Sequence, residues 1–128
     1  MARARTVATI ATVAAVATAL LIPCRPTALD LAAVAATVAL ARAAQKPTAF
    51  VLNACPARAP EVAEARTALA PHGFPVAPVL LGERCAYARA VAGGYAVTDY
   101  EPQGKAAQEI AALWRWLHDC FLRKERPR

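Results

Sequence analysis

Glycine is scarce in this chain, and its placement excludes one large class of phosphate-binding sites. The 128 residues hold 5 glycines, and all of them lie after residue 72. A phosphate-binding loop of the pattern G-x-x-x-x-G-K-[ST] needs two glycines five residues apart, followed by lysine and a hydroxyl residue. The single Gly-Lys pair, Gly104-Lys105, is followed by Ala106, and Asp99 stands where the first glycine would be required. The chain therefore carries no loop of this pattern.

The few cysteines and histidines are too widely spaced for a zinc or dithiol motif. The cysteines stand at positions 24, 55, 85 and 120, so no C-x-x-C pair exists. His72 and His118 fall in no metal-ligand spacing, and the G-x-S-x-G and H-E-x-x-H signatures are absent. We expect reduced, buried thiols in a cytoplasmic protein. The even count leaves two disulfides in a secreted protein as the alternative.

Positive charge is concentrated at the two ends of the chain. A formal net charge of +6 at first favours nucleic-acid binding. Arg3 and Arg5 contribute +2 and residues 123–128 contribute +3, which leaves +1 for residues 6–122. We interpret residues 123–128 as a solvated basic tail. A basic nucleic-acid-binding module remains an alternative.

The Ala/Thr-rich residues 1–18 allow two interpretations. Residues 6–22 contain no charge and follow Arg3 and Arg5, which is typical of a signal peptide or membrane anchor. Strongly apolar side chains are few before Leu20, and the uncharged stretch is short for a membrane span. We expect a helix that runs into a buried strand, with a small exported or membrane-anchored protein as the alternative.

The rest of the chain alternates apolar runs with helical patterns. Strands are predicted at residues 19–23, 48–53 and 76–81, and Pro78 places the last at a sheet edge or strand end. Helices are predicted from Thr27 with its capping partner Asp30, from Pro60, over residues 84–92 and over residues 105–122. This order predicts an α/β domain over residues 19–122. We expect an incomplete three-layer α/β/α fold with a short, mostly parallel sheet of about three strands and flanking helices.

The core must rest on the larger side chains, because 35 residues are alanine, which buries little area. The last predicted helix carries one apolar stripe, formed by Ala106, Ile110, Leu113, Leu117 and Phe121. We expect Trp114 to broaden this stripe and Trp116 to be half exposed on another side of the helix.

Three loops follow the predicted strands, at residues 23–26, 53–58 and 81–84, where ligands of parallel sheets bind. These loops and their flanks resemble the C-terminal half of the ParA/MinD family of partition ATPases, over about residues 20–118. The matching stretches are residues 21–31, 49–53, 73–76, 82–87, 99–102, 104–110 and 113–114. The resemblance implies part of a P-loop NTPase domain, and a cytoplasmic role in ATP-dependent plasmid or chromosome partitioning or intracellular positioning.

The resemblance also implies roles for three residues. Asn53 corresponds to an adenine-contacting asparagine, and Arg84 lies in a loop that closes over the base. Arg58 is the candidate for non-specific DNA contact. Each has a simpler alternative: a turn cap for Asn53, a residue near a helix start for Arg84 and a solvent-exposed side chain for Arg58. ATP and Mg²⁺ are the family's cofactors, and neither is assigned to this chain.

The chain departs from the family at the phosphate end. The family's phosphate loop and magnesium-linked aspartate should precede the first strand, whereas residues 1–30 hold one acid, Asp30, after that strand. Because phosphoryl transfer depends on that loop, its lysine and Mg²⁺, we expect no ATPase activity from this chain alone. We interpret it as a fragment that forms a homodimer or needs a partner supplying the missing half, with non-specific DNA as a further candidate partner and no membrane favoured. Its sheet should have an unpaired edge, which residues 6–18 are one candidate to cover.

Overall fold

Helices surround a very small sheet in this protein. The structure, a computed structural model, describes residues 2–123, with side chains from residue 4, so the basic tail beyond Arg123 lies outside the described residues. In chain order the elements are α1 (Ala2–Val16), β1 (Leu20–Cys24), α2 (Ala28–Ala44), β2 (Thr48–Leu52), α3 (Glu61–Leu69) with a 3₁₀ turn (Ala70–His72), α4 (Cys85–Ala92), α5 (Val97–Tyr100), and α6 (Lys105–Leu117) with a π-helical turn (His118–Leu122). The protein is therefore mixed α/β, with flanking helices.

The sheet consists of β1 and β2, paired in parallel from Leu20↔Thr48 to Cys24↔Leu52. All of β2 is buried, as expected for a parallel strand covered on both faces. Alternate side chains of β2 point to opposite faces. Phe50 and Leu52 pack with residues of β1, α2 and α3 in one core cluster, whose buried members include Ile22, Val34, Val38, Ala65 and Leu69.

The opposite face of the sheet is covered by α6. Val51 packs there with Ala77, Leu81 and Leu113 in a second core cluster, and Ile110 and Leu117 lie against it. Helices therefore pack on both faces of β2. Because both faces are covered, a strand whose one polar side chain is Thr48 can be fully buried.

The helix α2 begins where its sequence predicts. The Thr27 hydroxyl accepts the Asp30 N–H at 3.2 Å, which confirms the capping pattern. At the other end Gln45 adopts a left-handed conformation with φ 55°, and its N–H donates to the Arg42 carbonyl at 3.1 Å. The helix thus stops just before Pro47, where the chain turns into β2.

The expected third strand at residues 76–81 is interrupted. Its ends form isolated parallel bridges to Phe50 and Cys55 of the β2 region. Ala77 N–H donates to the Phe50 carbonyl at 2.8 Å, but the next bond to β2 comes only from Leu81 N–H, to the Leu52 carbonyl at 3.0 Å. The ladder is therefore interrupted between Ala77 and Leu81, a stretch that contains Pro78. The prediction of about three strands is therefore not confirmed; residues 2–123 form two strands and this interrupted segment.

A side chain from α3 replaces part of the lost ladder. The Arg66 guanidinium donates to the Ala77 carbonyl at 3.1 Å and to the Pro78 carbonyl at 3.2 Å. A planar guanidinium suits this task because its donors can meet two neighbouring carbonyls at once. Arg66 therefore holds the interrupted segment against α3 and β2.

The orientation of α6 differs from the prediction at its two tryptophans. Trp114 was expected in the core stripe, but it is 57% exposed. Trp116 instead lies partly buried against the Val51 cluster. The reason is that the sheet stops at β1, so the side of α6 that carries Trp114 has no strand beneath it. The prediction is wrong for Trp114; Trp116 is partly exposed as predicted, but it packs against the core instead of pointing to another side of the helix. The predicted loop before α6 also contains a short helix, α5.

The N-terminal helix α1 packs lightly on the rest of the protein. It lies beside α2, and Ala14 is the one buried residue among its residues 4–16, while Val7, Ile10, Val13 and Val16 are exposed. Leu21 and Pro23 of β1 stay exposed, and α1 residues, Ile10 and Ala14 among them, line a cavity of about 230 Å³ together with Leu20, Leu21 and Ile22. Within residues 2–123 no helix has the length and hydropathy that crossing a bilayer requires.

Replacing Arg66 tests the account of the interrupted segment. We expect Arg66→Ala to lower the free energy of unfolding by about 1–2 kcal/mol, because two carbonyls lose their donor. Arg89→Ala, at an exposed arginine of α4, is the matched control and should stay within about 0.5 kcal/mol of the wild type. Urea denaturation of both variants measures the difference, and equal losses would show that the two Arg66 bonds contribute nothing.

Candidate functional site

The carboxyl ends of β1 and β2 open into one cavity. The Asn53 N–H, directly after β2, donates to the Cys24 carbonyl at 2.9 Å, so the loops after the two strands begin side by side. A cavity of about 420 Å³ lies here, and its polar lining includes Arg25, Asp30 and Asn53. The half-buried Asn53 side chain makes no hydrogen bond with any residue of the described range 2–123. Its amide is therefore free to meet a ligand.

The first turn of α2 contributes an anionic group to this cavity. The Asp30 carboxylate accepts a hydrogen bond from the Thr27 hydroxyl, and its backbone N–H is capped by the same hydroxyl. Asp30 therefore has a structural role in addition to lining the cavity. Its negative charge stands beside the positive charge of Arg25, so the cavity has no strong net preference for an anion.

The cysteines divide into two buried and two exposed thiols. Cys24 and Cys55 are buried, Cys85 and Cys120 are exposed, and all four are free. Burial raises the pKa of the Cys24 thiol, and Asp30 raises it further. Burial also raises the pKa of Cys55, with Arg66 opposing and Glu109 adding to the increase. The expectation of buried thiols is thus confirmed for Cys24 and Cys55 and wrong for Cys85 and Cys120.

Arg58 stands alone in the loop after β2. Its side chain is exposed and makes no hydrogen bond or ion pair with another residue of the described chain. The loop is unusual in its backbone, because Ala54 and Arg58 both have positive φ, at 50° and 56°. Such angles are uncommon for residues other than glycine. Between them Cys55 is buried and its N–H donates to the Leu81 carbonyl at 2.9 Å, whereas Arg58 is exposed.

Arg84 is already paired in this structure. Its guanidinium forms an ion pair with Glu109 of α6, whose side chain is 14% exposed. The same carboxylate accepts the Gly82 N–H at 2.6 Å and the Tyr87 hydroxyl at 3.2 Å. Four groups from three parts of the chain therefore meet in one network, which we call the Glu109 network: Gly82, Arg84, Tyr87 and Glu109.

The structure separates two of the residues that the resemblance groups together. Asn53 lines the cavity at the ends of β1 and β2, whereas Arg84 lines another cavity of about 350 Å³ with Glu83, Glu101 and Lys105. No residue lines both cavities. Arg84 would have to leave Glu109 before it could contact a ligand held by Asn53.

Glu109 and Tyr87 are the polar residues of the network that sequence reasoning missed. A signal for Glu109 was present, because it lies between Ala106 and Ile110, close to the apolar stripe of α6. A carboxylate in that position is costly to bury without donors. Tyr87 had no comparable signal, since a tyrosine on a short helix packs in many ways.

The network also changes the acidity of Tyr87. Burial of the phenol, followed by the charge of Glu109 and the hydrogen bond to it, raises the pKa of Tyr87 to about 12, with Arg84 opposing. The neutral phenol is therefore the form that the fold stabilises.

The residues of the first cavity suit a nucleobase better than a triphosphate. An amide such as Asn53 offers both a donor and an acceptor to a base edge. The charges beside it are one arginine and one aspartate, which is a weak receptor for several phosphates. Among residues 2–123 no group of three or more His, Cys, Asp or Glu side chains could hold a metal ion.

The chain matches no protein-family model and no curated protein sequence. The resemblance to the ParA/MinD family therefore stays a prediction from the sequence.

The alkaline stability of the protein tests the Glu109 network. The folded state holds the Tyr87 proton up to about pH 12, whereas an unfolded chain releases it near pH 10. The contribution of Tyr87 to the free energy of unfolding is thus complete below about pH 10 and is lost as the pH rises through about 12. We expect the stability difference between wild type and Tyr87→Phe to shrink over that interval, measured by urea denaturation.

Tyr95→Phe is the matched control, since Tyr95 is exposed and outside the network. It should keep the wild-type slope of stability against pH. An identical slope for Tyr87→Phe would remove the basis for a buried, neutral phenol beside Glu109.

Proposed function

We propose that this chain is a ParA/MinD-like partition ATPase half-domain that keeps the base-contacting side of the site and acts through interaction, with no catalysis of its own. In this proposal the two strands and the interrupted segment are the outer part of an incomplete three-layer α/β/α sheet of about three strands. The family role would be ATP-dependent partitioning of DNA or positioning of a cargo in the cytoplasm. The parallel order of β1, α2 and β2 supports it, because it is the repeating unit of such sheets.

The observation that carries the proposal is the position of Asn53. It follows the central buried strand, lines a cavity of about 420 Å³ and has a side-chain amide without a partner among the described residues. The carboxyl end of a parallel strand is where ligands of this fold class bind. A single amide contributes about 1 kcal/mol to recognition of a base, which corresponds to weak binding.

Catalysis by the isolated chain is not part of the proposal. Phosphoryl transfer is achieved mainly by positioning and charge stabilisation from a phosphate loop, its lysine and Mg²⁺. The 128 residues contain no such loop. At Asn53 the remaining charges, Arg25 and Asp30, have opposite signs. ATP and Mg²⁺ would therefore need groups from a partner.

Contact with DNA is a second proposed interaction, and Arg58 supports it. This arginine is exposed, has no hydrogen-bond or ion-pair partner within residues 2–123 and has a left-handed backbone conformation. One cation gives only weak, non-specific attraction to phosphates. Any stronger binding would have to use the basic residues 123–128 as well.

Nucleotide binding by the purified chain tests the main proposal. We expect adenosine to bind weakly, with an affinity that Mg²⁺ does not change, and ATP to release no phosphate above the buffer background. Asn53→Ala should lower adenosine affinity about fivefold, as expected for one hydrogen bond. Thr37→Ala, which changes the same cavity without removing an amide, is the control. Tight Mg²⁺-dependent binding of ATP, or phosphate release that Asn53→Ala abolishes, would overturn the proposal.

The salt dependence of DNA binding tests the role of Arg58. If Arg58 meets a phosphate, Arg58→Ala should reduce the slope of log affinity against log salt by about one. Arg89→Ala is the matched control at another exposed arginine. A chain lacking residues 123–128 that loses all binding would assign the interaction to the tail, and an unchanged slope for Arg58→Ala would exclude this arginine.

A further inference from the structure

Two cavities adjoin beside β1. The Asn53 cavity, of about 420 Å³, lies at the carboxyl end of this strand, and the cavity of about 230 Å³ lies between α1, α2 and the strand, which we call the α1 cavity. Leu21, Ile22 and Thr37 line both of them. A molecule held at Asn53 therefore reaches the α1 cavity by extending past these three side chains.

The α1 cavity is apolar. Its larger lining side chains include Ile10 and Val13 of α1 and Leu40 of α2, and none of its lining residues within the described chain is charged. The hydroxyl of Thr9, which also lines it, already donates to the Arg5 carbonyl at 2.9 Å. The cavity can therefore bury an apolar group, but it offers no cation to a phosphate.

The polar groups of the joined space lie toward Asn53. The Asn53 amide makes no hydrogen bond with a described residue, and neither does the half-buried Thr37 hydroxyl between the two cavities. Arg25 and Asp30 add one charge of each sign. A space of this kind, apolar at one end with a few polar groups at the other, is the usual form of a small-molecule site.

We propose that one ligand occupies both cavities: a nucleobase at Asn53 whose exocyclic amine carries an apolar substituent, with that substituent in the α1 cavity. The proposal rests on the base-contacting role of Asn53 given above, and it names the class of base. An asparagine amide pairs with the N6 and N7 edge of adenine. An amine with one alkyl group keeps one N–H, so the amide still has its donor.

The direction in which the site extends favours an apolar substituent over a phosphate chain. A phosphate that entered the α1 cavity would lose its water without gaining a cation or a hydrogen-bond donor, which is unfavourable. An alkyl group gains free energy from the same burial. The ligand that suits the joined cavities is therefore a modified base or nucleoside, not a nucleoside triphosphate.

The size of the α1 cavity sets the length of the substituent. A volume of about 230 Å³ corresponds to roughly seven groups of the size of a water molecule, so we expect it to hold an alkyl chain of about six carbons. Full burial of one methylene group raises affinity about fourfold. Because Val13 is 58% exposed and Ile10 is 37% exposed, the gain should be lower here, about two- to threefold for each carbon.

Isothermal titration calorimetry of the full 128-residue chain tests this chain-length dependence. The probes are adenosine and its N6-methyl, N6-butyl, N6-hexyl and N6-decyl derivatives. We expect affinity to rise about two- to threefold for each carbon up to the hexyl derivative and to stay level from hexyl to decyl, because the additional carbons lie outside the cavity.

A carboxylate placed in the α1 cavity tests where the alkyl group binds. Val13→Asp should lower the ratio of N6-hexyladenosine affinity to adenosine affinity at least tenfold and leave adenosine affinity within about twofold of the wild type. Val16→Asp is the matched control, since Val16 is on the same helix, is 81% exposed and lines neither cavity. It should keep the wild-type ratio. Urea denaturation checks that both variants fold.

Asn53→Ala separates this inference from the proposed function. If both hold, the variant lowers the affinity of every probe by the same factor of about five and leaves the dependence on chain length unchanged. Adenosine that binds through Asn53 with no gain from the alkyl chain would overturn the inference and leave the proposed function in place. An equal loss of the gain in Val13→Asp and Val16→Asp would also overturn it. A gain that Val13→Asp removes, with no effect of Asn53→Ala on any probe, would support the α1 cavity as the alkyl site and contradict the role of Asn53.

Discussion

The burial of β2 on both faces is the constraint on which the rest of the structure depends. Its five residues are all buried, so every neighbouring element must supply either a backbone partner or an apolar surface. β1 supplies the backbone partner on one side, and the interrupted segment around Pro78 supplies part of one on the other. The helices α2 and α3 cover Phe50 and Leu52, and α6 covers Val51.

A proline lies in each of the two segments beside β2. The ladder on one side of β2 is interrupted between Ala77 and Leu81, and Arg66 binds the Ala77 and Pro78 carbonyls there. Pro23 removes a donor at the outer edge of β1, which makes that edge less able to pair indiscriminately.

The two candidate residues, Asn53 and Arg84, lie in separate cavities. Asn53 has an available amide and no phosphate-binding surroundings, while Arg84 is held by Glu109 in a network that joins α4 and α6 to the segment after β2. The family resemblance groups these two residues, whereas the structure places them in separate surroundings and gives Arg84 an ion pair with Glu109.

The sequence by itself determined the elements that local chemistry controls. The start of α2 at Thr27, the apolar β2 and the position of Asn53 at the end of that strand all follow from capping, apolar patterning and strand order. The absence of a phosphate loop is also readable from five glycine positions.

Only the tertiary structure decided which side chains find partners. Pro78 marked a weak strand, but the compensation by Arg66 depends on the distance between α3 and a segment eleven residues later. Which of Trp114 and Trp116 packs against the core depends on where the sheet stops. The ion pair of Arg84 depends on Glu109, 25 residues later in the chain. These contacts join residues far apart in the chain, and periodicity within a single helix or strand carries no information about them.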